Sequence, residues 1–257
     1  MNFKSALLSA SIFCTTISAM PLQASSDFAI TPRVEVGPLN YNLEFSGALP
    51  VAGGQIVNLS NTFNADVYAL RLGLTGSWRN IYVDAYYQQT TEGDDVQTLA
   101  QFGYIEKWQG DIEESNYTIG YSFLGGAAVF AGYRDLQLTA DGNLGSEYQF
   151  EHDGYFMGAS YAWPLTDRGA LSFTLGYAWL DADLDETLVG IHVPGSGDGD
   201  GFKIGVGWRS YINDVVGYSV NADYYEYEYD IENANLGIDA EMTEKQAAIR
   251  IGLFYEI

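Results

Sequence analysis

Residues 245–257 read KQAAIRIGLFYEI, and the fold follows from the pattern in that stretch. From Ala247 onward the residues alternate. Ala247, Ile249, Ile251, Leu253, Tyr255 and Ile257 fall on one face, and Ala248, Arg250, Gly252, Phe254 and Glu256 on the other. A period of two marks a β-strand, because successive strand side chains point to opposite sides. The stretch ends on an apolar residue with no polar tail, which fits a strand that closes a sheet in lipid better than a terminus fraying into water.

The same alternation recurs upstream. Tyr68, Leu70, Leu72, Leu74 and Trp78 oppose Arg71, Gly73, Thr75 and Ser77. A two-residue turn at Arg79-Asn80 sets Trp78 against Ile81, Leu74 against Ala85 and Thr75 against Asp84. Apolar then meets apolar and polar meets polar along the whole pair, which a slip of one residue would reverse. Further strands follow at Ile30–Phe45, Tyr117–Phe123, Val129–Arg134, Tyr155–Trp163, Leu171–Trp179, Phe202–Arg209 and Val216–Tyr225. Pro38 predicts a bulge near Gly37-Pro38, since proline inside a strand belongs at an edge or bulge. A three-residue turn at Ile212-Asn213-Asp214 would pair Tyr211 with Val215, Trp208 with Tyr218 and Lys203 with Asp223. The segments 47–65, 92–114, 181–200 and 226–241 are polar, acidic or glycine-containing and read as long loops, with some strands running on past the membrane. About ten strands result, and short and long connections alternate.

Composition narrows the class. The chain has 20 Tyr, 13 Phe, 5 Trp and 29 Gly but only 11 Lys and Arg. Beyond residue 24 no stretch has the roughly eighteen apolar residues that a spanning helix needs. Lys4 followed by the mostly apolar 6–19 and by Leu22-Gln23-Ala24 reads as a signal peptide over 1–24, leaving a single domain over 25–257. Cys14 falls in that leader, with bulky Phe13 where a lipidation signal needs a small residue, so the remaining chain has no thiol for a disulfide. Formal charge is -23, and removing the leader takes away Lys4 and no acid, giving -24. So acidic a chain is not expected to bind nucleic acid.

The closing stretch resembles the C-terminal strand of bacterial outer-membrane β-barrels, with apolar residues at the last, third-last and fifth-last positions: Ile257, Tyr255 and Leu253. This chain ends in Ile where that family usually ends in Phe. The resemblance implies an all-β fold, a transmembrane antiparallel up-and-down barrel in the outer membrane of a Gram-negative cell. Short turns would face the periplasm and long loops the outside. It also implies membrane lipid, lipopolysaccharide and the barrel-assembly machinery as partners.

Alternation then places Arg71, Asp84, Arg134, Lys203, Arg209, Asp223 and Arg250 away from lipid, together with Glu256, Arg33 and Glu35. An Arg or Lys on the lipid face at mid-membrane costs roughly 2–4 kcal/mol, so the lumen is their expected place. Such residues serve either as paired filler of a narrow barrel or as the lining of a selective channel. Little else suggests chemistry. His152-Asp153 and Asp94-Asp95 share residue types with omptin-type outer-membrane proteases but not their spacing, and His152 reads as a solvated loop residue. No Ser sits in a His–Ser hydrolase pairing. Asp181, Asp183 and Asp185, with Asp198 and Asp200, lack the turn glycine and closing Glu of a calcium loop, which leaves loose divalent cation binding at acidic loops. No catalytic residue, cofactor or specific metal site is expected. The leading reading is a structural or surface-interaction barrel with a largely filled lumen. A narrow porin-like diffusion channel is the alternative, and a membrane-embedded hydrolase comes third.

Overall fold

The computed structural model describes residues 28–51, 55–99, 104–123, 125–188, 191–233 and 238–257. The expected leader, residues 1–24, lies outside them. Eleven strands follow one another: β1 (Phe28–Val51), β2 (Gln55–Trp78), β3 (Ile81–Thr90), β4 (Gly93–Leu99), β5 (Tyr104–Ser122), β6 (Ala127–Gly142), β7 (Glu147–Thr166), β8 (Gly169–Leu188), β9 (Ile191–Tyr211), β10 (Val216–Asn233) and β11 (Ile238–Tyr255). β3 and β4 both pair with β5 and are two segments of one stave, interrupted at Thr91-Glu92. All pairing is antiparallel between chain neighbours, and β1 pairs with both β2 and β11. The β3–β5 pairing closes the sheet into a ten-stave barrel, while above Ala69 no ladder joins β2 to β4 among the described residues. At the seam, Ile30 and Ile257 exchange both backbone hydrogen bonds, at 3.0 and 2.9 Å.

The β2–β3 hairpin has the expected register: Trp78 faces Ile81, Leu74 faces Ala85 and Thr75 faces Asp84. Its two-residue turn holds Arg79 in the left-handed region, at φ 56°. Gly37-Pro38 differs from expectation. The register runs through it unshifted on the β2 side, so there is no bulge. β11 approaches closely there instead, and a Cβ on Gly37 would lie 1.8 Å from the Ile249 carbonyl oxygen. A glycine at 37 admits the neighbouring backbone, so Pro38 needs no extra residue to fit.

The β9–β10 turn also differs. Tyr211 pairs with Gly217 and Trp208 with Val220, so the register is displaced by two residues. Asn213 explains the wider turn: its Oδ1 accepts the backbone N–H groups of Val215 and Val216, at 3.0 and 2.8 Å, so the β9–β10 ladder begins only at Gly217. A shift of two keeps every side chain on its expected face, although Lys203 now lies opposite Tyr225 and Asp223 opposite Gly205.

The larger correction concerns the four segments read as loops. All are built mainly of paired strand, so the sheet continues well past its apolar belt. On β8, Leu171, Phe173, Leu175, Tyr177 and Trp179 face outward, and so do Asp181, Asp183 and Asp185. The inward face changes from Ser172, Thr174 and Gly176 to Leu180, Ala182 and Leu184. On β10, Val220, Ala222 and Tyr224 give way outside to Glu226, Glu228 and Asp230. Inside, Asn221 and Asp223 give way to Tyr227, Tyr229 and Ile231. On β8 and β10 the strand period does not break. Only the chemistry of the two faces exchanges, and acids on the outer face resemble a loop when the inner face is ignored.

Candidate functional site

The apolar belt has aromatic residues at its upper margin, including Tyr68, Tyr155, Trp179 and Tyr224. Inside it lies a charged layer. Arg33 donates to both oxygens of Asp84, at 2.6 and 2.9 Å, and Thr75 bridges the two. The guanidinium of Arg71 lies 3.7 Å from the centre of the Tyr86 ring and donates to Gln88 Oε1. Glu114 accepts from Tyr86 and Gln88 and stands 3.2 Å from Arg134 Nε. Arg134 in turn donates to the Tyr227 hydroxyl at 2.6 Å. Asp223 is held by Arg250, with Lys203 Nζ at 3.5 Å. Lys203 and Asp223 therefore meet along a diagonal although they are not cross-strand partners. Arg209 lies 3.9 Å from Glu256 and stacks on the Phe254 ring.

Arg71, Asp84, Arg134, Lys203, Arg209, Asp223 and Arg250 thus all face the interior, and each has an opposite charge within 4.0 Å. Leu253, Tyr255 and Ile257 face outward and are exposed on the belt. Six of the ten Lys and Arg in the described barrel are inside (Arg33, Arg71, Arg134, Lys203, Arg209 and Arg250). The outer wall is correspondingly left with an excess of acid.

Above the charged layer the interior is a packed apolar core. Leu39, Tyr41, Leu43, Val67, Leu136, Leu138, Phe150, Leu180, Tyr229, Ile231 and Met242 all bury within it. His152 lies here, so the expectation of a solvated loop histidine is wrong. Its Nε2 is 3.1 Å from Glu244 Oε2, and its ring packs among Phe150, Tyr227 and Tyr229. Tyr229 and Gln246 also donate to Glu244. Burial pushes the Glu244 carboxyl up, but His152, Arg134 and the Tyr229 hydroxyl outweigh it and hold the group down at about 2. Glu186, in the same storey, has no such partners, and burial lifts it to about 7. Sequence reading assigned no place in the interior to Glu114, Glu186, Glu244 or His152. Carrying the two-residue period of β5, β7, β8 and β11 through the supposed loops would have placed them all.

Strand alternation separates the proposed His152-Asp153 pair. Asp153 faces outward and accepts a hydrogen bond from the Tyr133 hydroxyl. Asp94 is exposed, and Asp95 accepts the Asn64 backbone N–H. Asp181, Asp183 and Asp185 are outward on β8, as are Asp198 and Asp200 on β9. Asp135, Asp153, Asp181, Asp198, Asp230 and Glu241 form one row of direct cross-strand neighbours from β6 to β11. Like charges directly opposed across strands repel. The effect is visible at Asp135, where partial burial and then the nearby Asp153 and Glu151 raise the carboxyl above its ordinary range.

No family model matches the chain, and no curated protein does. Similarity appears among solved structures. The outer-membrane protease OmpT of Escherichia coli superposes with a TM-score of 0.60 at 14% identity, over 95% of this chain and 100% of that one. The translocator domain of the autotransporter NalP of Neisseria meningitidis gives 0.46 at 10% identity, over 91% and 90%.

Proposed function

We propose that this chain, a bacterial outer-membrane β-barrel, is a non-conducting structural barrel that presents a stiff acidic wall at the cell surface. One observation carries the reading: above the lipid belt the interior is filled by the barrel's own apolar side chains, while the outward face is lined with carboxylates. A conducting pore needs a continuous wet path, and a close-packed apolar layer opposes one. A continuous sheet above the membrane also holds its outer side chains in fixed rows, which suits a contact surface. Membrane lipid is the belt's environment. Opposed acids at the wall favour loosely held divalent cations, and these would bridge it to the phosphates of lipopolysaccharide.

OmpT is a protease, but for this chain we propose no hydrolytic role. The burial of His152 against Glu244, and the outward direction of Asp153, support that view. Planar-bilayer recording of the purified, folded barrel tests the proposal. Conductance is expected to be small or absent. A large, steady conductance in folded protein would replace this reading with the narrow diffusion channel.

A further inference from the structure

Beneath the apolar core, inside the charged layer, lies a cavity of about 50 Å³, room for roughly three to five water molecules. Arg33, Arg71, Arg134 and Lys203 line it, together with Asp84 and Tyr225. Arg33 and Asp84 neutralise each other. Of the charged residues that line it, four are cations and Asp84 is the one carboxylate. The carboxylates that pair with Arg71, Arg134 and Lys203, namely Glu35, Glu114 and Asp223, do not line the space.

The polar groups agree with that lining. Arg134 Nη2 and the Tyr225 hydroxyl are buried and have no hydrogen-bond partner. Both residues line the cavity, and the Arg134 guanidinium lies 4.7 Å from the Tyr225 ring centre. Two donors without acceptors, in a space lined mainly by cations, describe a receptor for something negative and small. The space is not sealed: the Arg33 and Lys203 side chains keep 14% of their surface, whereas Leu136 and Phe150 above it are at 0% and Tyr82 and Phe130 below it are at 5%.

We propose that this cavity is a binding site for a small monovalent anion of halide type, held by Arg134 Nη2 and the Tyr225 hydroxyl. The site is independent of the role assigned to the outer wall, and a conducting barrel would not by itself remove it.

Gly176 supplies the test. It borders the cavity, and a Cβ there would meet nothing closer than Met157 O at 3.6 Å and Lys203 Cβ at 3.9 Å. Gly176→Val therefore fills the space with little backbone disturbance. Thermal midpoints of the detergent-folded barrel are compared in sodium bromide and sodium gluconate at equal ionic strength, gluconate being too large to enter. Bromide is expected to raise the midpoint by about 2–4 °C. The rise should shrink in Tyr225→Phe and disappear in Gly176→Val, with both variants still showing heat-modifiable migration. Bromide-soaked crystals should place the anomalous scatterer within hydrogen-bond reach of Arg134. Equal wild-type midpoints in the two salts, with water only in the cavity, would overturn the proposal. So would a bromide effect that survives unchanged in a folded Gly176→Val.

Discussion

Glu186 and Glu244 show how one storey of the barrel treats two buried carboxylates in opposite ways. Glu244, surrounded by donors, has a folded pKa below its ordinary value, so its contribution to stability is present above about pH 4.5 and is lost as pH falls through about 2. Removing its partner should be severe: His152→Phe leaves a buried carboxylate with less compensation and is expected to cost roughly 3–5 kcal/mol at neutral pH. Glu186 has the opposite sign. Its folded pKa is raised to about 7, so stability is greatest below about pH 4.5 and falls as pH rises through about 7. Glu186→Gln should flatten that decline, by an amount on the order of 2–3 kcal/mol. Unfolding midpoints at pH 4, 6 and 9 check it, and equal slopes in wild type and variant would count against the burial argument. Deeper in the barrel, Asp223→Asn strands Lys203 and Arg250, and a marked loss of stability is expected.

At the scale of the element, the seam between β1 and β11 depends on a close backbone approach. Gly37→Ala sets a methyl group against the Ile249 carbonyl, and unless the strands separate there is no room for it. The substitution is expected to lower the thermal midpoint and slow refolding, whereas Gly176→Ala, whose methyl group would make only ordinary van der Waals contacts, should leave both near wild type. Equal behaviour of the two variants would show that the seam tolerates distortion. The strands also show which parts of the structure were legible in the sequence. Within the belt, large apolar residues alternate with Gly, Ser and Thr, so strand, face and the β2–β3 register could all be read. Turn length at 212–215 could not, because it depends on the hydrogen bonds that Asn213 chooses to make. The upper halves of β5, β8, β9 and β10 were mistaken for loops because their acids drew attention, and that of β2 because of polar residues and glycines, while the alternating Phe63, Ile112, Leu184 and Ile231 went unread. The charged layer was legible as an inward face. The partners of each charge were not, since Arg134 and Tyr227 lie 93 residues apart in the chain.

On the scale of the whole molecule, one continuous sheet passes through two solvents. In lipid it has apolar residues outside and charges inside, and above the lipid it has acids outside and an apolar core inside. The outer acids repel one another along the β6–β11 row, so screening should help the folded state. Millimolar magnesium is expected to raise the thermal midpoint more than sodium chloride at the same ionic strength, and equal effects would remove the case for divalent bridging. The exchange of faces itself is tested by placing single cysteines, on the cysteine-free barrel, at outward positions 173, 175, 177, 179, 181, 183 and 185 of β8. Each carries a fluorophore and is challenged with lipid-borne and aqueous quenchers in reconstituted bilayers. Lipid quenching should dominate through Trp179 and aqueous quenching from Asp181 onward, with the change falling within one outward step. Lipid quenching that continues through Asp183 and Asp185, or aqueous quenching already at Leu175, would contradict the account.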